Sequence, residues 1–269
     1  MPRIYLRFPE GKKLAVTLSY DDGVVQDRRL IEILQKNGMK GTFNVNTGMY
    51  SMYYPRLSRE DAISLYKNSG MEVAVHSVNH PYLAMIPTNL CTQEILLDRR
   101  NLEEDFECLI RGLAYPNNSY NDNVVNVLKQ CGIVYGRTTD STHGYLLPED
   151  WHRWHPTCHH NDPELMELAR NFIEGETYGK PSIFYLWGHS YEFDDHNNWE
   201  VIEAFAEYMG NRDNVWYATN IEIYDYVAAY EQLLFSLDEK HVYNPTNRNV
   251  YFQIDDKHYC IKPGENLLD

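Results

Sequence analysis

The feature that most limits what this chain can fold into is a rhythm. Short segments rich in β-branched and aromatic residues, at 14–19, 41–45, 72–75, 112–115, 133–137, 182–186 and 215–218, alternate with longer segments of helical period. Such alternation is the mark of repeated β-α units around parallel strands. The stretch 27–37 repeats apolar residues at Leu30, Ile31 and Leu34 and stops at Gly38, a natural C-cap. Ser58 with Asp61 three residues later resembles a capping box opening the next helix. Further helices are expected at about 92–107, 122–129, 163–174, 199–209 and 221–237. About seven strands predict an α/β fold, a closed or nearly closed β/α barrel, with a doubly wound open sheet as the alternative of equal periodicity. In both, ligands sit at the C-terminal ends of the strands. Past residue 238 the pattern changes: 250–254, the turn Asp255-Asp256-Lys257 and 258–261 read as a β-hairpin. The expected organisation is a barrel over 1–237 and a β extension over 238–269 packed on the same domain.

Composition narrows the partners. The chain has 269 residues, 43% of them hydrophobic, enough for a sizeable core. With 39 acids against 24 bases its formal charge is −15, which opposes tight binding to nucleic acid or to an anionic membrane surface and suits neutral or cationic ligands. The five cysteines are spread out and never form a CxxC pair, so neither a disulfide framework nor a structural zinc knot is expected. No stretch approaches the roughly 18 apolar residues of a membrane span, and the N-terminus lacks the apolar core of a signal peptide. That fits a cytoplasmic protein, or a secreted one whose leader has been removed.

Four strand ends carry residues able to do chemistry. "SYDDG" places Asp21 and Asp22 side by side after the first predicted strand, and "VHSVNHPY" places His76 and His80 four apart after the third. Pro81 disfavours a helix at His80, so a tight turn is the expected host. Two histidines and one carboxylate make a common catalytic zinc set with a position left for water or substrate. "FYLWGHSYEF" delivers His189 to the same rim, a candidate general acid across the barrel mouth. In "LAYPNNSYN", Tyr115-Pro116 ends a strand and turns through Asn117 and Asn118, where backbone N–H groups can face a developing oxyanion. Aromatic residues suited to sugar rings, Tyr82, Tyr120, Trp154, Trp187 and Tyr191, lie near these motifs. "HRWHPTCHH" offers His155, His159 and His160 as a second metal set, but without a carboxylate or thiolate pair at known spacing; a loop lining the groove is the expected role.

Taken in order, these motifs resemble the polysaccharide deacetylases of carbohydrate esterase family four, whose domain is also called the chitooligosaccharide deacetylase homology domain. "SYDDG" resembles the first motif, "HSVNH" the second, "AYPNNSY" a variant of the third and "LWGH" the last, over about 14–218. The resemblance implies a distorted (β/α) barrel and a hydrolase that removes acetyl groups from an N-acetylated sugar or polysaccharide, a metal-bound water attacking the amide carbonyl. It implies Asp22, His76 and His80 as ligands of a divalent metal, usually zinc (Zn2+), with Asp21 as general base and His189 as general acid. Asn117, Tyr115 and Trp187 then fall on the oxyanion and substrate side. Two departures stand out. The family's arginine two residues before the third-motif proline is replaced by Ala114, with Arg111, Arg137 or Arg153 as substitutes, and the fourth-motif Asp has only Asp150-Trp151 as a match. A cyclic-amide hydrolase of allantoinase type, or a carbohydrate-binding homologue weakened in turnover, are the alternatives on the same fold.

Overall fold

The computed structural model describes residues 4–175 and 179–268. In chain order its elements begin with β1 (Ile4–Arg7), β2 (Leu14–Asp21), α1 (Asp27–Lys36), β3 (Thr42–Val45), α2 (Arg59–Tyr66) and β4 (Glu72–Val75). There follow α3 (Thr88–Phe106), β5 (Gly112–Ala114), α4 (Asp122–Gln130), β6 (Tyr135–Arg137), β7 (Cys158–His159), α5 (Leu165–Glu174) and β8 (Ser182–Gly188). The chain continues through α6 (Glu192–Asp195), α7 (Glu200–Met209), β9 (Val215–Tyr217) and α8 (Asn220–Glu231) to the short strands β10 (Leu234–Phe235), β11 (His241–Asn244), β12 (Val250–Ile254), β13 (Lys257–Ile261) and β14 (Gly264–Leu267).

The central sheet runs β6-β5-β4-β3-β2-β8-β7, all parallel. It curls into a distorted (β/α) barrel. One segment closes the gap: Trp154 exchanges backbone hydrogen bonds with Gly136 and Thr138 beside β6, and Thr157 and His160 bond to Tyr185 and Trp187 of β8. Sequence periodicity read this segment as a loop, because a two-residue strand is too short to repeat anything. The predicted strand at 215–218 is present as β9, but it pairs with the first half of β2, Leu14 to Val16, while β3 pairs with the second half, Ser19 to Asp21. The helix expected over 221–237 stops at Glu231, and Leu234 and Phe235 pair instead with β11. The predicted hairpin is β12 and β13, and it takes β1 as a third antiparallel strand.

β2 explains where the core and the site lie. Every residue of it is buried, but the two faces differ. Leu14, Val16, Leu18 and Tyr20 join the large apolar cluster under the helices, whereas Thr17, Ser19 and Asp21 share the other parity and face the barrel interior. That interior is a polar, hydrogen-bonded column. Thr17 Oγ1 donates to Asn220 Oδ1 (2.8 Å), Asn220 Nδ2 to Tyr185 OH (2.5 Å), and Asn44 Nδ2 to Ser19 Oγ and Asp21 Oδ1 (both 2.8 Å). Asp21 is the top of the column.

Candidate active site

Adjacent acids with opposite parity end up in different surroundings. Asp21 remains in β2 and is buried; Asp22 leaves the strand with φ 87°, a left-handed conformation that costs a non-glycine residue energy and clusters at functional sites. Arg137, at the end of β6 on the far side of the barrel, donates from Nη2 to both carboxylate oxygens of Asp21. Arg111 is instead paired with Asp225 (2.7 and 2.9 Å), and Arg153 with Asp150 and Asp122, so of the three arginines in question Arg137 is the one that reaches Asp21. Burial raises the Asp21 pKa, but Arg137, then His76 and His189, outweigh it and hold the carboxyl at about 2.

Asp22, His76 and His80 converge on the rim. Asp22 Oδ1 lies 3.8 Å from His76 Nε2 and 3.9 Å from His80 Nε2, and one ligand atom from each residue falls within 4.8 Å of the others. His76 is prepared in detail. Its Nδ1 donates to Ala114 O at 2.8 Å, burial lowers its pKa to about 4, and the bare Nε2 is buried without a hydrogen-bond partner. A neutral imidazole whose second nitrogen is fixed by a backbone carbonyl is the usual state of a metal-bound histidine. The buried Asp98 accepts from the backbone N–H of His76 (3.0 Å) and of Thr47 (2.8 Å), tying the ends of β3 and β4 together. These donors fit a divalent cation. Ser77, His80 and Asn117 also have positive φ, so the turns around Asp22 hold their side chains in conformations the chain would not adopt freely. The Asn117 side-chain amide lies 3.3 Å from His80 Nδ1 and donates to His80 O at 3.2 Å.

A second cluster faces the first. His189 Nε2 is 4.0 Å from Asp21 Oδ2, and its Nδ1 is 3.3 Å from Glu192 Oε1. Glu192 Oε2 in turn lies 2.9 Å from His160 Nε2 and 3.2 Å from His159 Nε2. His159 Nδ1 accepts from the Asn161 N–H (3.1 Å), so its proton sits on Nε2, toward the carboxylate. Burial raises the Glu192 pKa, yet the three histidines outweigh it and hold the carboxyl well below its usual range. For His189, burial works against the charged ring, but the hydrogen bond to Glu192 and the charges of Asp21 and Asp22 leave its pKa above the ordinary value. Ser190, the next residue, and the Val24 N–H both bond to buried Asp27 (2.5 and 3.1 Å), which fastens the His189 and Asp22 loops to one carboxylate.

Several sequence expectations change here. Asp150 caps a turn and pairs with Arg153, so it does not serve His189; Glu192 stands beside that histidine. His155, His159 and His160 of "HRWHPTCHH" do not form one set, since His155 turns to Thr138 (2.6 Å) while His159 and His160 face Glu192. Tyr115 does not line the site with its side chain. It is buried, its hydroxyl donates to His152 O at 2.8 Å, and its ring stacks on Tyr120. Trp187 does reach the centre, with its ring 4.7 Å from the Arg137 guanidinium and 5.8 Å from the His189 ring.

Residues 9–136 match the family model for polysaccharide deacetylase. The matched stretch, a little under half of the chain, contains Asp21, Asp22, His76, His80 and Asn117. Arg137 lies one residue beyond it, and His159, His189 and Glu192 lie outside it altogether. A search of curated proteins gives no match. Among solved structures, the chain is similar to a putative polysaccharide deacetylase from Mycobacterium smegmatis, at 20% identity over 86% of this chain and 96% of that one, TM-score 0.62. It is also similar to a family 4 carbohydrate esterase from Streptomyces lividans solved with acetate, 16% identical over 72% and 87%, TM-score 0.51. A family 4 pseudoenzyme from Bacillus anthracis is as near in fold, 19% identical over 81% and 67%, TM-score 0.50. The shared barrel therefore does not by itself decide turnover, which rests on the side chains present.

Proposed function

We propose that this chain is a metal-dependent deacetylase that hydrolyses the N-acetyl amide of an amino sugar or its oligomers. The observation that carries the reading is the setting of Asp21: ionised, locked to Arg137, and flanked by His76 Nε2 at 3.8 Å and His189 Nε2 at 4.0 Å. Asp22, His76 and His80 would hold a divalent cation, and two imidazoles with one carboxylate suit zinc. Bound there, the ion supplies Lewis acidity toward a water and the acetyl carbonyl.

The remaining chemistry belongs to the chain. Asp21 accepts a proton from the attacking water, and Arg137 keeps its carboxylate aimed and anionic until then. Asn117 and its turn offer donors to the developing oxyanion, and Trp187 walls the acyl side. As the carbon–nitrogen bond breaks, His189 passes its Nε2 proton to the leaving amine. Glu192, on Nδ1, fixes the tautomer that puts this proton on the correct nitrogen and balances the charge of the ring. The water ends as acetate and the sugar as a free amine. The test is acetate release from N-acetylglucosamine oligomers, expected to vanish on chelation, return with added zinc, and vanish in Asp21→Asn. A folded, metal-loaded protein that frees no acetate from any N- or O-acetylated sugar would overturn the reading.

A further inference from the structure

A second binding surface adjoins this centre. Between the loop after β3 and the short helix α6 lies a cavity of about 410 Å3 that begins at Asp22, within the range of small-molecule sites, about 300–1,000 Å3. Its upper wall is aromatic. Tyr53 and Tyr54 line it and are 54% and 79% exposed; the Arg56 guanidinium lies 5.7 Å from the Tyr53 ring centroid, and the Tyr54 hydroxyl accepts from Gln26 Nε2 at 3.5 Å. Tyr191 also lines it and joins it to the catalytic centre, its ring 5.2 Å from that of His189.

The polar groups of the lining left open are chiefly acceptors, because its side-chain N–H donors, Arg56 and Gln26 Nε2, are engaged on Asp22, Asn46 and Asp194. Asp194 and Asp195 contribute carboxylates, and Asp194 is held in place by Trp199 Nε1 (2.7 Å) and Gln26 Nε2 (2.8 Å). Gln26 is only 7% exposed, and its Oε1 is a buried acceptor without a donor. Arg56, the cation on this lining among the described residues, is already spent on Asp22 and on Asn46 Oδ1. Aromatic faces favour the C–H face of a sugar ring and a nearby cation, and carboxylates favour charged N–H donors. A neutral N-acetyl group offers neither the charge nor the extra protons. An amino sugar bearing a free ammonium group offers both.

We propose that this slot binds a positively charged, de-N-acetylated amino-sugar residue adjoining the N-acetylated residue in the catalytic centre. The inference rests on the deacetylase reading for the neighbouring site, and it makes the enzyme's own product part of its next substrate. Free amines would then accumulate in runs along an oligomer, because each cleavage improves the fit of the next residue.

Two measurements test it on the intact protein. Calorimetric binding should be about tenfold tighter for a glucosamine tetramer than for its fully N-acetylated counterpart, one charge-assisted contact's worth. The gap should close in Asp194→Asn/Asp195→Asn and shrink as salt is added. In turnover, kcat/KM for a tetramer with one free amine should exceed that for the fully acetylated tetramer, with the ratio falling toward one in the same variant. Should that variant fail to fold, Tyr54→Ala on the exposed loop should lower affinity for the glucosamine tetramer by about threefold. Equal or weaker binding of the cationic tetramer, or a preference untouched by these substitutions, would overturn the proposal. Because the binding arm reads without catalysis, a protein that binds the cationic tetramer but frees no acetate would refute the deacetylase reading alone.

Discussion

The rim of this barrel carries two histidine clusters a few ångströms apart, and they differ in where their protons point. In the Asp22-His76-His80 cluster the only proton on His76 is turned away, to Ala114 O, and a bare nitrogen faces the carboxylate across 3.8 Å. In the His159-His160-His189-Glu192 cluster, nitrogens of three imidazoles surround one carboxylate at 2.9 to 3.3 Å, and the Asn161 N–H fixes a proton on His159 Nε2. In the first cluster His76 presents a bare Nε2, and Asp22 Oδ1 accepts from Arg56 Nη2 at 3.0 Å; in the second, one carboxylate is flanked by three imidazoles. Both sets bring ligand atoms within 4.8 Å of one another, and in the proposed reading the first holds the metal while the second holds a proton on His189. Asp21 lies between them, tied to neither but to Arg137.

The largest effects should come from the residue between the clusters. Asp21→Asn removes the proton acceptor and is expected to lower kcat by roughly 10²–10⁴-fold. It also leaves Arg137 buried beside a neutral amide, for a loss of about 3–5 kcal/mol in denaturant unfolding. Arg137→Met should break the same pair from the other side. The Asp21 carboxyl, held at about 2 in the intact protein, would lose the charge that keeps it there, so the acidic limb of kcat/KM should move to higher pH. Stability follows the same sign. A depressed carboxyl stabilises the fold above its unfolded pKa and loses that contribution as pH falls toward about 2, so the variant should show a weaker acid dependence of unfolding in that window.

The next substitution separates the clusters. In Glu192→Gln the His189 ring loses the partner that raises its pKa, and the alkaline limb of the rate profile should move to lower pH, with kcat reduced by about 10–100-fold. Metal content should stay as in the wild type. A loss of metal in this variant would mean that the two clusters are one site. The smallest effect is expected for Tyr115→Phe, which removes only the hydroxyl bond to His152 O: about 1 kcal/mol of stability, with kcat unchanged.

What the sequence made legible follows the range of the interactions. Strand ends were visible because each is a local change from apolar alternation to Asp, His or Asn, and a barrel brings such ends together whatever their separation along the chain. The ring closure through Trp154 and β7 was not, since it involves one or two residues at a time. Arg137 was one of three candidates because it meets Asp21 across the barrel interior, 116 residues away, where spacing carries no information. Glu192 carries a local signal: it follows His189 by three residues, the spacing that places two side chains on one face of a helical turn. Tyr115 misled for the opposite reason. It directly precedes the Pro116 turn, but its side chain points into the packing under β6 rather than toward the rim.

The central claim, that one cluster is built for a cation and its neighbour for a proton, is tested most directly by counting metal. Elemental analysis of the purified protein, of His76→Ala and of His159→Ala should give close to one zinc per chain, close to none, and close to one again. Two ions per chain with one lost in His159→Ala, or a full complement retained in His76→Ala, would contradict it.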